Sequence, residues 1–193
     1  MPLIDRFIPL VPLAERHETL VAAPAEMAFE AARDLDLRSI PAIAAIFRLR
    51  EWLLGSAPAQ RNLPRGLVGQ TLALGWGLLA ERPNRELVMG AVTRPWEANV
   101  SFRAVAPERF AEFCEPSLVK IAWTLEAEPI DETHSRLRTQ TRASPTDAVA
   151  ARRFARYWRL FGAGIVLIRW LSLRAVRRTA ERRYRAVQSL KAT

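Results

Sequence analysis

The chain has 193 residues, half of them apolar and a quarter charged, which is the composition of a globular protein and excludes a disordered one. A single cysteine, Cys114, excludes an internal disulfide framework and any metal site built from several cysteines, and is typical of a reducing cytoplasm. The net charge of +9 is unevenly placed, since residues 151–193 hold 12 basic side chains and one acid whereas residues 1–150 sum to −2.

The first 14 residues hold three prolines among apolar side chains. Proline has no amide donor and disfavours a helix at the preceding residue, so this pattern predicts an extended arm that packs over the rest of the protein. No basic segment followed by an apolar run stands at the start, and a secretory signal is therefore not expected. Residues 15–190 are long enough for one domain, which we expect to begin with a strand at residues 16–22.

Two helices are predicted next. Pro24 suits a first helical turn, and this helix continues to about Asp34. The second helix begins at Ser39-Ile40-Pro41 and ends at Gly55, because apolar residues recur between them at helical spacing and glycine favours a helix end.

From residue 70 the pattern changes to short apolar segments separated by turn residues, which is typical of antiparallel strands. In the last segment Leu137, Thr139 and Thr141 lie on one face of the strand. The residues between and beside them, which lie on the other face, are Arg136, Arg138, Gln140 and Arg142. This alternation predicts one covered face and one face in water. The predicted strands are residues 70–80, 86–93, 98–105, 118–127 and 135–143.

A long C-terminal helix is predicted over about residues 146–188, with Thr146 or Asp147 as its N-cap. Gly162 and Gly164 predict a kink or a break within it. Its longest apolar run, residues 161–173, has 13 residues and includes an arginine, whereas a membrane-spanning helix needs ~20 apolar residues. One third of its circumference is apolar and carries Phe154, Tyr157, Trp158, Phe161, Ile165 and Ile168.

Five stretches carry a resemblance to a known superfamily: HETLVAAPAEMAF (17–29), ELVMG (86–90), TQTR (139–142), FARYW (154–158) and IRWL (168–171). With the order of elements, they resemble the SRPBCC superfamily, which includes START lipid-transfer domains and polyketide cyclase/dehydrase-like proteins. The resemblance spans residues 15–185. It implies an α+β helix-grip fold, in which a curved antiparallel sheet wraps around a long C-terminal helix and the gap between them commonly holds an apolar ligand.

The cavity implied by this resemblance is the leading candidate site. Large aromatic side chains around an apolar pocket with a few polar groups are typical of small-molecule sites, and the two threonines would be polar handles. The same side chains could equally fill an ordinary core. The candidates are Trp76, Met89, Phe102, Trp123, Thr139, Thr141, Trp158 and Phe161.

No catalytic, metal or cofactor pattern is recognisable. His17 on the first strand and His134 in a turn have no partners at the spacing of a catalytic triad or of a metal site. Cys114 is followed by Glu115, so nothing adjacent favours a thiolate. The glycines form neither a dinucleotide fingerprint nor a phosphate loop, and no cofactor or metal is expected.

The basic face of the C-terminal helix leaves three interpretations open. A solvated outer face is favoured, an anionic membrane surface comes second, and nucleic acid is least favoured because no recognition motif accompanies the charge. The residues concerned are Arg174, Arg177, Arg178, Arg182 and Arg185.

The sequence therefore favours binding or transport of a hydrophobic small molecule, either a lipid or a polyketide-like compound. The alternatives are a polyketide cyclase/dehydratase-like enzyme, and a peripheral membrane or interaction protein that uses the basic helix. The expected location is the cytoplasm, with a membrane surface as the alternative, and the sequence leaves the oligomeric state open.

Overall fold

The computed structural model describes residues 2–9, 13–56 and 63–191, and within them six strands form one antiparallel sheet. The strand order is β1-β6-β5-β3-β2, with β4 paired to β3. Consequently β1 lies at one edge of the sheet. The strands are β1 (Leu13–Val21), β2 (Gly77–Arg82), β3 (Glu86–Thr93), β4 (Phe102–Arg103), β5 (Val119–Pro129) and β6 (Ser135–Pro145).

Helices cover the inner face of this sheet. The long α5 contacts β1, β5 and β6 as well as the two helices that follow β1. This is the α+β helix-grip arrangement that the sequence predicted, with a curved antiparallel sheet around a long C-terminal helix. The α-helices of the described residues are α1 (Ala25–Arg33), α2 (Pro41–Leu54), α3 (Leu67–Ala73), α4 (Pro107–Phe110) and α5 (Ala148–Lys191).

Local signals set the ends of α2 as predicted. Pro41 occupies the first helical turn, and Gly55 ends the helix in the left-handed conformation with φ +64°. Ser39 does not cap the helix, because its hydroxyl donates to the carbonyl of Asp36 within a preceding 3-10 turn, Leu37–Ser39.

The prediction of one strand over residues 70–80 is wrong. Leu67–Ala73 form α3, and the strand begins only at Gly77. Between them Gly75 has φ +99°, and a Cβ there would lie 2.2 Å from the carbonyl oxygen of Phe102, so only glycine fits. The strand predicted at residues 98–105 is likewise reduced to Phe102–Arg103.

No break divides α5, although the sequence predicted a kink or a break at its two glycines. A Cβ on Gly162 would lie 3.0 Å from the indole of Trp158, and one on Gly164 would lie 3.4 Å from Ile46 of α2. Both glycines therefore allow close packing within a continuous helix. The N-cap is Asp147, whose Oδ1 accepts from the N–H of Ala150 at 2.7 Å.

Neither α5 nor another helix in the described parts of the chain is long and apolar enough to cross a membrane.

The N-terminal segment packs on the outer face of the sheet, but it is not extended, because Leu3–Arg6 form a 3-10 turn. Ile4 and Ile8 are buried in a cluster with Val88 of β3. Arg142, predicted to lie in water, is covered by this segment and is buried. Its guanidinium donates to the carbonyl of Ile8 at 2.7 Å and pairs with the carboxylate of Asp5 at 2.7 Å.

Candidate functional site

The inner face of the sheet carries two apolar clusters with polar residues between them. One cluster joins Leu125 and Leu137 to Leu173 on α5, and the other joins Val119 and Ala143 to Phe154 near the start of α5. We call the residues between the clusters the polar row. It consists of His17, Thr139, Thr141 and Arg169.

Strand register places the polar row. β1 and β6 pair so that His17 lies beside Thr139 and Glu15 lies beside Thr141. On the other side of β6, Trp123 of β5 lies beside Thr141. Since alternate residues of a strand point to the same face, all of these side chains belong to the inner face.

Arg169 reaches the polar row from α5. Its Nη1 donates to the hydroxyl oxygen of Thr139 at 3.1 Å, and its guanidinium carbon lies 5.9 Å from the centre of the Trp123 ring. Among the described residues no carboxylate lies within ion-pair distance of Arg169. Burial lowers the pKa of Arg169 to about 10, so the side chain is still a cation at neutral pH.

Two buried polar atoms of the row have no hydrogen-bond partner within the part of the chain that the structure describes. They are Nε2 of His17 and Oγ1 of Thr141. His17 Nε2 lies 3.6 Å from Oε2 of Glu15, beyond hydrogen-bond distance. Thr139 differs, because its hydroxyl accepts from Arg169 and donates to the carbonyl of Thr124 at 2.8 Å. The row thus holds unused hydrogen-bonding capacity at two positions.

A cavity of about 670 Å³ opens between β1 and α5, and we call it the edge cavity. His17 belongs to its wall, so the cavity leads to the polar row. The charges on its wall are predominantly positive, with four arginines against two glutamates. The lining residues are Arg16, His17, Glu18, Thr19, Trp170, Leu173, Arg174, Arg177, Arg178 and Glu181.

The five arginines proposed for an anionic surface are all exposed. Arg174, Arg177 and Arg178 line the edge cavity, whereas Arg182 and Arg185 are not part of its wall. Arg174 stacks on Trp170, with 5.2 Å between the guanidinium carbon and the ring centre, and Arg177 pairs with Glu181 at 2.9 Å.

A second cavity, of about 500 Å³, lies between α2, α3 and residues 98–102, and we call it the helical cavity. Apolar side chains form much of its wall: Leu37, Phe47, Leu63, Leu67, Leu74, Val100 and Phe102. Trp76 stacks on Phe102, with 5.0 Å between the ring centres. Leu67 and Trp76 also pack against the apolar cluster that contains Met89 and Trp123.

The eight predicted ligand residues therefore fall into three groups instead of one pocket. Phe102 lines the helical cavity and Trp76 stacks on it. Thr139 and Thr141 belong to the polar row, and Trp123 lies beside Thr141 with Met89 as its neighbour on β3. The other two lie on α5, where Trp158 packs on Phe154, and Phe161 lies 5.0 Å from the ring of Tyr157. Their role in ligand binding stays a prediction.

Sequence reasoning missed Arg169 and gave His17 no role. The available signal was spacing, since Arg169 stands four residues after Ile165 and four before the buried Leu173, on the apolar stripe of α5. The sequence interpretation of the basic segment concerned its outer face, with solvent, an anionic surface or nucleic acid as the partner, and assigned no arginine to the inner face.

The other chemically reactive side chains lie apart from this site. His134 is exposed in a turn, 3.1 Å from Asp131, and Cys114 is exposed. Hydrogen bonds from Thr133 lower the pKa of Asp131 to about 2. Within residues 2–9, 13–56 and 63–191, no group of three or more His, Cys, Asp or Glu side chains is placed to hold a metal ion.

No family model and no curated protein matches the chain. Among solved structures it is similar to a conserved protein from Geobacillus kaustophilus, with 12% identity over 88% of this chain and 96% of that one and a TM-score of 0.43. A protein from Chromobacterium violaceum has 13% identity over 89% and 99% and a TM-score of 0.42. An aromatase/cyclase from Streptomyces sp. R1128 has 15% identity over 91% and 97% and a TM-score of 0.37. At these values the similarity carries no argument about function.

Thr139 and Thr141 offer a matched test of the polar row. Thr139→Val removes the acceptor of the Arg169 hydrogen bond and the donor to the carbonyl of Thr124, and leaving these partly buried and buried groups unpaired costs about 1–3 kcal/mol. Thr141→Val removes a hydroxyl without a partner and should be neutral or stabilising. Urea unfolding of both variants measures the two changes in the free energy of unfolding. Equal losses of stability would show that the hydrogen bond from Arg169 to Thr139 does not stabilise the protein.

Proposed function

We propose that the protein binds an apolar small molecule, a lipid or a polyketide-like compound, whose apolar part lies in the helical cavity beside α2 and α3 and not in the predicted gap between the sheet and α5. The observation that supports this best is the helical cavity. Its volume of about 500 Å³ falls within the range of roughly 300–1,000 Å³ typical of small-molecule sites, and apolar side chains form much of its wall.

Several polar side chains around this cavity already have protein partners. Gln70 donates to the carboxylate of Asp36 at 2.8 Å, and the hydroxyl of Thr71 donates to the carbonyl of Leu67 at 2.7 Å. Arg50 donates to the carbonyl of Pro95 at 3.2 Å. Because these groups are satisfied within the protein, an entering molecule meets mainly apolar surface and would bind by the hydrophobic effect.

Filling the helical cavity tests this function. Leu74 lines the cavity, whereas Leu72, two residues earlier, is 46% exposed and is not part of the wall. Leu74→Trp places an indole in the cavity and should weaken binding of the uncharged fluorescent probe N-phenyl-1-naphthylamine at least about ten-fold, a loss of ~1.4 kcal/mol. Leu72→Trp is the matched control and should stay within about two-fold of the original protein. Fluorescence titration measures both, with circular dichroism to verify folding.

Two results count against the proposal. One is an original protein that gives no saturable probe binding, and the other is a folded Leu74→Trp variant that binds as tightly as the original.

A second candidate function, a cyclase or dehydratase of polyketide-like chains, is supported by the polar row. Ring closure of a poly-β-ketone moves a proton from a methylene carbon, forms a carbon–carbon bond to a carbonyl carbon, and then releases water. The unpartnered Nε2 of His17 is a candidate to take the proton, and Arg169 is placed to stabilise enolate charge.

The test of this enzyme uses a linear poly-β-keto thioester and mass spectrometry. The original protein should convert it to the cyclised, dehydrated product, and His17→Gln should lower the rate by about 10²-fold or more while leaving probe binding unchanged. Identical product formation with and without protein would rule this function out.

A third candidate, peripheral membrane binding, is supported by an exposed apolar band in the middle of α5. Leu160, Leu167 and Trp170 are exposed there, between arginines that precede and follow them. Ile46 of α2 touches α5 at Gly164. Trp52, within two turns of Ile46 on α2, is 76% exposed. Apolar side chains flanked by cations suit the surface of an anionic bilayer.

Sedimentation with vesicles tests the membrane function. Vesicles with phosphatidylglycerol should bind the protein more tightly than vesicles of phosphatidylcholine alone, and added salt should reduce the difference. The double variant Leu160→Ser/Leu167→Ser should weaken this binding at least about five-fold, whereas Leu20→Ser, on an exposed position of β1, should not. Equal sedimentation with both vesicle types would exclude an anionic surface as the partner.

A further inference from the structure

Arg169 is a partly buried cation on the inner face, and the described residues place no counter-charge beside it. A guanidinium has five N–H donors, and among the described residues only the hydroxyl of Thr139 accepts from it. Partial removal of an uncompensated charge from water is costly, and the aromatic ring of Trp123 offsets only part of that cost. The described part of the protein therefore supplies one hydrogen-bond acceptor for the five donors of this side chain.

The neighbours of Arg169 can complete a site for an anion. Thr141 lies two residues from Thr139 on the same face of β6, and His17 lies beside Thr139 on β1. The hydroxyl of the first and the Nε2 atom of the second are buried and unpartnered, and both groups can donate to an oxygen. A carboxylate has the right acceptors, since it accepts two parallel N–H bonds from a guanidinium and still has lone pairs for further donors.

One carboxylate of the protein lies near this position and has to be considered. Glu15 points to the same inner face, and its Oε2 is 3.6 Å from Nε2 of His17. It lies outside ion-pair distance of Arg169, and a third of its side chain is exposed. Glu15 therefore leaves the charge of Arg169 unpaired in this structure.

The edge cavity supplies an entrance of matching charge. His17 lines it, and so do the exposed Arg174, Arg177 and Arg178, which we call its rim; of these, Arg177 is paired with Glu181. A positive rim attracts anions and raises their local concentration. Next to Arg169 the surroundings are apolar, because Trp123 lies beside its guanidinium and belongs to the same apolar cluster as Met89. Leu67, which lines the helical cavity, packs against this cluster.

From this arrangement we propose that the ligand is an apolar molecule with one carboxylate group, and that Arg169 binds this carboxylate with Thr141 and His17. The inference rests on the proposed binding function, and it adds the chemical class of the ligand.

The test compares two probes that differ only in their polar end, dodecanoate and 1-dodecanol, by displacement of N-phenyl-1-naphthylamine at pH 8. The original protein should bind dodecanoate at least about ten-fold more tightly than dodecanol. Arg169→Met replaces the guanidinium with an unbranched side chain that has no charge. It should abolish the preference for dodecanoate by weakening the binding of dodecanoate alone, while the affinity for dodecanol stays within about two-fold of that of the original protein. Arg174→Met is the matched control from the rim of the edge cavity, and it should retain most of the preference.

The outcomes separate the carboxylate site from the binding function. If the original protein binds both probes with equal affinity, or if folded Arg169→Met keeps the preference, the carboxylate site is wrong while binding stands. Equal affinity is also the result expected if Glu15 neutralises Arg169 in solution. If neither probe binds, the binding function itself fails for chain-like ligands. Should Arg169→Met not fold, Thr141→Val takes its place and should reduce the preference at least about three-fold, since it removes only one donor.

Discussion

The packing of α5 against the inner face of the sheet is the constraint on which the rest of the structure depends. A helix of 44 residues presents its apolar stripe to β1, β5 and β6, and α1 and α2 pack beside it. The two glycines in its middle allow close packing elsewhere on the helix, since one lies under the indole of Trp158 in α5 itself and the other touches Ile46 of α2. The sheet curves around the helix, and the edge cavity opens between α5 and the first strand of this sheet.

Arg169 interrupts this stripe at the point where the opposite wall is also polar. Apolar residues at Arg169, Thr139 and Thr141 would give a continuous core, and replacing buried polar groups with well-packed apolar ones is often neutral or stabilising. The helix and the sheet instead place a cation, two hydroxyls and an imidazole against each other. Buried polar atoms without a partner, at Thr141 and at His17 beside the edge cavity, indicate a role other than folding.

Sequence alone predicted those elements whose signals are local. β3 has the predicted bounds Glu86–Thr93, and α2 begins at Pro41 and ends before Gly55, because proline and glycine act on the backbone next to them. Residues 70–80 were mistaken for one strand, since an apolar run of that length fits either a helix or a strand until its neighbours are known.

The features that sequence could not predict all depend on distant contacts. Arg142 occupies a position that alternation assigns to water, and it is buried only because residues 3–8 pack across the outer face of the sheet. Similarly, Arg169 stands among eleven other basic residues of the segment 151–193, and only its place on the α5 stripe separates it from them. Charge composition therefore hid the one arginine of this segment that belongs to the polar row on the inner face.

The basic C-terminal segment thus contains cations in two different environments. Arg174 and Arg178 stand in water at the rim of the edge cavity, where salt screens their attraction over roughly 8–10 Å. Arg169 lies where burial has already lowered its pKa to about 10, so its field is much less screened. An acid would consequently be steered to the protein by the rim and held by Arg169. Salt should then slow association while changing the dissociation rate little, whereas a merely solvated basic helix would show neither the affinity nor this division between the two rates.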